Sequence, residues 1–343
     1  MNRKNKPLVL LSAVLVLLIA AYFVVTALQK SSAEKKAQAD ADADAVGALS
    51  EITSIRASGA DTAGLTFQKT DDGWVCTQYD GWPIRQSDAE TYVYAYAHLT
   101  ASRVLTEHGA LSEYGLDAPQ YVFTVSDGTT EQTLSLSEHD NGRMYAYIGG
   151  DDRVFVVGTS LTDYAARDIL AWVDYETLPA VSSDEVSALT LTRGGDVWDY
   201  TCTQEAADSE DGASETTIIW SAQKNGEPFE TVAANVDTAL YDLTGLVQAA
   251  CVDYDPDAAS LAAFGFDGSE TTLTFTYGDP GTTVTLRVGA SVTVDSTVYY
   301  YLMLNEDAAV TTVQAATLDE LYSLLMSGAS ADADAQTTAQ AAE

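Results

Sequence analysis

The sequence predicts an α+β fold in which one N-terminal transmembrane helix precedes two tandem related units, each made of antiparallel β-meander strands with one or two helices. Three observations lead to this prediction. Residues 7–28 carry no charge, residues 111–117 (LSEYGLD) return as residues 261–267 (LAAFGFD), and short apolar runs separated by turn residues follow both copies in the same order. The two copies share turn and core residues and no reactive group, so the repeat predicts architecture and leaves chemistry open.

Residues 7–28 are the predicted transmembrane helix. As an α-helix they would be about 33 Å long, which is enough for a hydrocarbon core of about 30 Å. Arg3, Lys4 and Lys6 precede them, and this favours a cytoplasmic segment 1–6 and an extracytoplasmic location for the bulk of the chain. A cleaved signal peptide is the alternative, because residues 31–33 (SSA) form an acceptable small-x-small site, although secretory apolar regions usually span about 7 to 15 residues.

Charge changes sharply after this segment. Residues 37–343 hold 10 Lys and Arg against 50 Asp and Glu, a net charge of −40. Such a surface repels nucleic acid, whose partners carry clustered Lys and Arg, so we expect no nucleic-acid partner. We expect contact with membrane lipid only through residues 7–28.

The composition also divides the exported part of the chain. Residues 29–50 and 327–343 are dominated by Ala, Asp, Gln and Ser, and they predict a disordered stalk and a disordered acidic tail. The residues between them are numerous enough for two domains. A break near Leu178-Pro179 gives a first unit of residues 51–180 and a second unit of residues 181–326.

The first unit begins with apolar runs at residues 52–55, 65–67 and 74–76, which predict strands joined by a tight turn at residues 71–73. Residues 87–90 (SDAE) have the spacing of a capping box and predict the start of a helix of about three turns. If Gly115 is the left-handed residue after a short helix, Leu111 and Leu116 occupy the two contacting positions of a Schellman cap, and residues 261–266 repeat the arrangement.

Four short strands are predicted after each cap, and a helix follows each set. The predicted strands are residues 121–125, 133–136, 144–148 and 154–157 in the first unit, and 272–277, 283–288, 298–304 and 309–313 in the second; the helices are residues 161–170 and 318–325. Residues 193–196 (RGGD) predict a hairpin turn, and the acidic residues 204–215 predict a solvated hairpin loop. Asp255 before Pro256 predicts a helix N-cap.

Cysteine and histidine usage gives no catalytic or metal-ligating set. Three cysteines, Cys76, Cys202 and Cys251, are too few for a disulfide framework, so we expect buried free thiols, with one bridge as the alternative. No two of the three histidines stand at metal-ligand spacing, and we expect no metal and no cofactor. Trp82 in its Gly-Trp-Pro turn is the candidate contact with a partner, and packing on the adjacent helix is the alternative for it.

Several of these motifs resemble those of a bacterial family, the domain of unknown function numbered 4340 (DUF4340). The likeness rests on residues 114–119 (YGLDAP) leading into the strand at Tyr121, on residues 264–267, and on residues 166–170 (ARDIL) before the second unit. The resemblance implies an extracytoplasmic α+β module behind one membrane helix. It further implies association with ABC-type transport systems, as gliding-motility or exporter auxiliary components, and it transfers no catalytic residue.

These observations favour a membrane-tethered extracytoplasmic binding or scaffold protein with a protein partner such as an ABC-type transporter subunit. The chain is more typical of a binding protein than of an enzyme, because the two copies share no reactive group. The alternative function is a cell-envelope glycan hydrolase that uses a carboxylate pair between the two units.

Overall fold

The computed structural model describes residues 45–328, except residues 48, 50, 61, 140–141 and 209–213, and gives only the backbone for the rest of residues 204–217. The predicted cytoplasmic segment 1–6, the transmembrane helix 7–28, residues 29–44 of the stalk and residues 329–343 of the tail lie outside this range. Among the residues described, no helix is both long and apolar enough to cross a bilayer. The fold is mixed α+β, with antiparallel sheets and few helices.

The chain divides into two compact units, Met1–Ile169 and Leu170–Glu343. This boundary precedes the predicted one by about ten residues. The segment in between is tied to the second unit, since the Glu176 N–H donates to the Asp307 carboxylate at 2.6 Å and the Leu178 N–H donates to the Gln248 side chain at 3.1 Å.

In its described residues, the first unit contains one antiparallel sheet and two α-helices. Its strands are β1 (Ser54–Ser58), β2 (Thr66–Thr70), β3 (Gly73–Cys76), β4 (Arg103–Leu105), β5 (Tyr121–Ser126), β6 (Glu131–His139), β7 (Arg143–Ile148) and β8 (Val154–Val157), and its helices are α1 (Gln86–Ala97) and α2 (Ser160–Ala165). The strand order is β3-β2-β1-β5-β6-β7-β8-β4. A 3₁₀ helix, Leu111–Tyr114, precedes β5.

The part of the second unit that the structure describes contains one antiparallel sheet and three α-helices. Its strands are β9 (Val186–Arg193), β10 (Asp196–Asp208), β11 (Ser214–Lys224), β12 (Glu227–Phe229), β13 (Gln248–Tyr254), β14 (Thr271–Tyr277), β15 (Thr282–Val294), β16 (Thr297–Leu304) and β17 (Ala309–Gln314), and its helices are α3 (Ala233–Thr244), α4 (Ala258–Ala263) and α5 (Ala315–Met326). The order is β12-β11-β10-β9-β14-β15-β16-β17-β13. It is the order of the first sheet, with β12 added at one edge.

Aromatic side chains hold α1 on the first sheet. Tyr92 is fully enclosed and makes ring contacts with Phe67 on β2, Phe123 on β5 and Tyr164 on α2, with ring centroids 5.4 to 6.4 Å apart. In the second unit Tyr200 on β10 donates its hydroxyl to the Leu325 carbonyl in the last turn of α5. Each sheet therefore has its own covering helices and its own core.

The helix α1 begins earlier than the capping-box spacing predicts. The first helical residue is Gln86, the N-cap is Arg85, and no side chain caps this end. The Gln86 amide accepts from the Trp74 N–H at 2.6 Å and donates to the Trp74 and Ile84 carbonyls at 2.9 Å. A contact twelve residues away therefore sets the start of the helix, and the predicted capping box at residues 87–90 is wrong.

The two predicted Schellman caps are confirmed. Gly115 has a φ of 70° and Gly265 a φ of 85°. The Leu116 N–H donates to the Leu111 carbonyl at 3.0 Å, and the Phe266 N–H donates to the Leu261 carbonyl at 2.9 Å. In each unit the two side chains pack in one apolar cluster, as the motif requires.

The structure corrects two turn predictions in the second unit. In the predicted loop at residues 204–215, the described residues 204–208 and 214–215 are strand, because β10 and β11 pair from Trp198↔Lys224 to Asp208↔Ser214. The cap of α4 is Asp257, which accepts from the Ser260 N–H at 2.8 Å, and Asp255 has a left-handed φ of 55°. The turn at Gly194-Gly195 between β9 and β10 is as predicted.

Two residues of the predicted stalk pack on the first unit. Ala45 forms a β-bridge with Thr100, and the buried Val46 donates its N–H to the Leu99 carbonyl at 2.8 Å. At the other end, Gly328 bridges Thr231 and the Ser327 hydroxyl accepts from the Asn235 side chain at 3.0 Å, so the first two residues of the predicted tail also contact the fold. The stalk and tail predictions are therefore wrong for these residues, because both make backbone hydrogen bonds to a packed unit.

Candidate functional site

A groove of about 530 Å³ lies in the first unit beside α1. Three segments form it: the chain before β1, the β2–β3 hairpin and one side of α1. Their lining residues are Glu51, Ile52, Thr53, Lys69, Trp74, Glu90, Val93, Tyr94, Ala97 and His98. We call this the first groove.

The helical repeat explains which side chains of α1 enter the first groove. Glu90, Val93, Tyr94 and Ala97 follow the helical pattern i, i+3, i+4, i+7, so they lie on one side of the helix. Tyr92 and Tyr96 fall between them and point into the core. The helix therefore separates a buried aromatic face from a neighbouring face that lines the groove.

The rim of the first groove carries a flat aromatic pair. The Tyr94 and His98 rings stack with centroids 3.8 Å apart and planes 20° from parallel. The His98 Nδ1 lies 3.0 Å from the Tyr94 carbonyl oxygen, which fixes the imidazole against the last turn of α1. Tyr94 is 62% exposed, so its ring offers apolar area and a hydroxyl to an incoming molecule.

The wall of the first groove is held by backbone hydrogen bonds. Trp74 is buried, and both its backbone N–H and its backbone carbonyl are hydrogen-bonded to the Gln86 side chain. The Lys69 N–H donates to the Thr53 carbonyl at 2.8 Å and fastens β2 to the chain before β1. Lys69, Glu51 and Glu90 are exposed, so the groove combines an aromatic platform with charges of both signs.

A smaller cavity of about 100 Å³ occupies the equivalent place in the second unit, and we call it the second groove. The strand registers give the correspondence, because Lys69 pairs with Trp74 as Cys202 pairs with Trp220. Counting from the first residue of each long helix, Asp237 matches Glu90, Leu240 matches Val93 and Tyr241 matches Tyr94. Of these, Cys202, Trp220, Asp237 and Leu240 line the second groove.

The two grooves differ in their charge opposite the helix. Lys69 in the first is replaced by Cys202 in the second, so a cation gives way to a thiol. Burial, and then the negative charge of Asp237, raise the pKa of the Cys202 thiol. Tyr241 remains 74% exposed, as Tyr94 is in the first unit.

None of the three cysteines forms a disulfide. Cys76 is buried as predicted, its thiol donates to the Gln78 side chain at 3.4 Å, and burial raises its pKa. Cys202 and Cys251 are only half-buried, so the prediction of three buried thiols is wrong for these two.

The predicted contact residue Trp82 lies outside the lining of the first groove. It is half-buried, its ring centroid is 4.9 Å from that of Tyr79, and its N–H donates to the Tyr79 carbonyl at 3.3 Å. Its role as a partner contact stays a prediction.

The three histidines lie at different places in the first unit. His98 forms part of the first groove, whereas His108 makes a ring contact with Tyr114 and lies 3.0 Å through Nε2 from the Asp152 carbonyl oxygen. His139 ends β6. Over the part of the chain that the structure describes, no cluster of three or more His, Cys, Asp or Glu side chains could hold a metal ion.

Sequence reasoning missed the residues of the first groove. Glu51, Lys69 and Glu90 come from three separate segments, and only the folded register brings them to one cavity. One signal was present in the sequence, because a tyrosine occurs at the same position of both long helices and that position is not a core position.

Comparison with known proteins gives one match. Residues 74–230 match the model of the family described as a domain of unknown function, DUF4340. The matched segment runs from β3 to the residue after β12 and includes residues 114–119 and 166–170, two of the motifs that suggested this family. No curated protein and no solved structure matches the chain. The resemblance of this chain to the DUF4340 family is therefore confirmed, over residues 74–230.

Proposed function

We propose that this chain is a membrane-tethered, extracytoplasmic binding protein that acts as an auxiliary component of an ABC-type transport complex or another envelope complex. The observation that carries the proposal is the first groove, with the exposed Tyr94 ring stacked on His98 at its rim. Tyrosines of this kind supply large contact area at low entropic cost, and they are enriched in protein interfaces.

The tether and the orientation are part of the proposal. The uncharged residues 7–28 and the cations before them support a single-pass helix with a cytoplasmic N-terminus. Residues 45 and 46 join the first unit at Thr100 and Leu99, next to His98 of the first groove. The proposed tether would therefore leave the first unit beside the groove, which suits contact with a neighbouring membrane protein.

We also propose that the two units descend from one duplicated ancestor. The shared strand order, the two Schellman caps and the matched tyrosines support this origin. Two unrelated units would have little reason to place an exposed tyrosine at the same helical position.

Site-specific photo-crosslinking in intact membranes tests the binding function. A photoreactive phenylalanine analogue at position 94 should give a cross-linked species that contains an ABC-type transporter subunit or another defined envelope protein. The same analogue at Thr129, in the exposed turn after β5, serves as the control. The proposal fails if position 94 gives no product beyond that control.

A glycan hydrolase is the second candidate, and one observation favours it. Glu51 and Glu90 line the same groove as the Tyr94 ring, and paired carboxylates beside an aromatic platform are typical of sites that bind and cleave sugars. Incubation of the full chain with cell-wall glycan should then release products, and Glu90→Gln or Glu51→Gln should abolish the release. Unchanged glycan after incubation with the unmodified chain would eliminate this candidate.

A further inference from the structure

The β10–β11 hairpin of the second unit extends well beyond its sheet. β9 pairs with β10 only as far as Thr201↔Ala188, and β12 pairs with β11 only as far as Ala222↔Phe229. The two strands nevertheless continue to pair with each other from Cys202↔Trp220 to Asp208↔Ser214. We call these paired residues, 202–208 and 214–220, the arm; at about 3.4 Å per residue, it is about 20 Å long.

The first unit turns back where the arm begins. There the register Thr70↔Gly73 closes the β2–β3 hairpin through Asp71 and Asp72. The equivalent pair in the second unit is Thr203↔Ile219, and residues 204–218 stand in place of the two-residue turn. The arm is therefore an addition to the shared fold that the fold itself does not require.

Both long edges of the arm are open. Among the residues that the structure describes, no strand pairs with either edge beyond Thr201 and Ala222. In the first unit the Gln86 side-chain amide is hydrogen-bonded to the open edge of β3 at Trp74. The equivalent helix in the second unit begins with Ala233, which has no side-chain amide that could bond to Trp220 in the same way. Rows of unpaired N–H and carbonyl groups are a template for an added strand.

The base of the arm also exposes apolar side chains on both faces. Ile218 and Ile219 are 44% and 41% exposed, and as consecutive strand residues they point to opposite faces. A two-stranded hairpin is marginally stable alone in water, so a third strand would stabilise the arm. An added strand with alternating side chains could cover one of these isoleucines.

Charge identifies the chemistry of that strand. The described residues of the arm include Glu205, Asp208 and Glu215 and contain no Lys or Arg. Like charges on adjacent strands are destabilising, so a second copy of the same acidic arm is a poor occupant, whereas a strand with lysines or arginines is complementary.

We propose that the arm binds an extended basic segment of a partner protein as an additional β-strand. The site is separate from the first groove and does not depend on the function proposed for that groove. The partner segment would supply backbone hydrogen bonds to one open edge, apolar side chains over Ile218 or Ile219, and cations beside the acidic residues.

Binding of a model peptide to the full chain in a nonionic detergent tests this proposal. The probe is a ten-residue peptide of alternating Lys and Val. It should bind, and hydrogen exchange should slow at amides of residues 202–208 or 214–220. There are two matched controls. One is a ten-residue peptide of alternating Glu and Val, and the other is a peptide of alternating Lys and Pro, which has the charge of the Lys/Val peptide but lacks every second backbone N–H. Both controls should fail to bind.

Two variants of the chain complete the test. Replacement of residues 204–219 by Asp-Asp-Gly copies the turn of the first unit, in which Gly73 has a φ of 123°, and should abolish binding of the Lys/Val peptide. The triple variant E205K, D208K and E215K keeps the arm and should bind the Glu/Val peptide in preference to the Lys/Val peptide, which gives a readout that does not depend on shortening the arm. Tyr94→Ala should bind the Lys/Val peptide as the unmodified chain does.

Three results would overturn the proposal. Equal binding of the Lys/Pro peptide would show attraction by charge alone. Equal binding by the shortened chain, with native circular dichroism, would place the peptide elsewhere. Self-association that disappears on shortening the arm, without peptide binding, would identify a second copy as the occupant.

Discussion

The two units share one strand order and differ most at one corner, where the hairpin beside the long helix ends. In the first unit this hairpin closes after four pairs, and the corner holds an open groove with Lys69 on its wall. In the second unit the hairpin continues as the arm, and the corresponding cavity is about 100 Å³ with Cys202 on its wall. The sheet scaffold is common to both units, and the surface chemistry is not.

The fold tolerates change at the tip of this hairpin more than in its strands and caps. The strands and Schellman caps have the same arrangement in both units. Each of them sets a local backbone conformation on which the fold depends. A hairpin tip is bonded only to itself, so residues can be added there without disturbing the sheet. We therefore expect substitutions at matched core and cap positions to have comparable effects, except where the surroundings differ.

The largest expected difference concerns the matched tryptophans. Trp74 is buried, so Trp74→Ala should lower the free energy of unfolding of the first unit by about 3 to 5 kcal/mol. Trp220 is only half-buried, and Trp220→Ala should cost the second unit about half as much. Urea unfolding followed by amide hydrogen exchange in each sheet measures both. Equal losses would show that the wall of the second groove is as well packed as that of the first.

The matched glycines of the Schellman caps should rank next. A Cβ on Gly265 would lie 2.5 Å from the Ala290 backbone nitrogen, whereas a Cβ on Gly115 would lie 2.8 Å from the Ser137 side-chain oxygen. Backbone cannot move aside as a side chain can, so Gly265→Ala should cost about 2 to 4 kcal/mol and Gly115→Ala about 1 to 2 kcal/mol.

Gly268→Ala is the control for this pair. Gly268 has a φ of 93°, and the space around an added methyl group is open. The substitution therefore measures the cost of the left-handed conformation alone, about 1 to 2 kcal/mol. Thermal unfolding of the three variants gives the ranking. The steric explanation would be wrong if Gly265→Ala cost no more than Gly268→Ala.

The edge of β3 provides a smaller effect. Gln86→Ala removes the partner of both the Trp74 N–H and its carbonyl, and should lower the free energy of unfolding by about 1 to 2 kcal/mol. Gln86→Glu keeps the acceptor for the Trp74 backbone N–H but places a carboxylate oxygen against the Trp74 and Ile84 carbonyl oxygens, so its loss should be at least as large as that of Gln86→Ala. Urea denaturation of the full chain measures these losses.

The reciprocal change sharpens the comparison of the two edges. Ala233→Gln places an amide where the first unit has Gln86, and it should slow hydrogen exchange at the Trp220 amide by closing the arm at its base. An unchanged exchange rate at Trp220 would indicate that the two helix starts are not equivalent.

The sequence predicted those features that depend on neighbouring residues. The Gly194-Gly195 turn and the cap at Gly115 follow from local backbone chemistry, and the structure contains both. The predicted capping box at residues 87–90 is wrong because Gln86, the first residue of α1, bonds to Trp74 on strand β3. The first groove needed the Lys69↔Trp74 register as well as helix packing, and no spacing in the sequence encodes either.

The sequence of the arm predicts a loop for a physical reason. Acidic and small residues around Glu205 lack the apolar alternation that identifies a strand, yet the hairpin continues because Thr201 and Ser221 are already paired at its base. Strand pairing, once started, extends through residues of weak intrinsic preference. The arm extends beyond the sheet, so its strands lack the apolar alternation of half-buried strands.

The smallest effect tests the chemistry that separates the two grooves. The Asp237 carboxylate contributes to the raised pKa of the Cys202 thiol, after burial itself. Asp237→Asn removes a negative charge that opposes formation of the thiolate, so the pKa should fall toward its ordinary value and alkylation at pH 8.5 should become faster. The expected gain is less than about tenfold, the equivalent of one pKa unit.

Iodoacetamide labelling followed by peptide mass spectrometry measures this rate, and Cys251 in the same sample is the internal reference. Asp184→Asn is the matched control, because Asp184 lines the second groove but does not contribute to the shift at Cys202. If both variants accelerate labelling equally, the cavity has merely opened, since a change in access affects the rate at every pH. If only Asp237→Asn does so, and the acceleration disappears well above the thiol pKa, the helix carboxylate controls the thiol, at positions where the first unit has Glu90 and Lys69 in the lining of its groove.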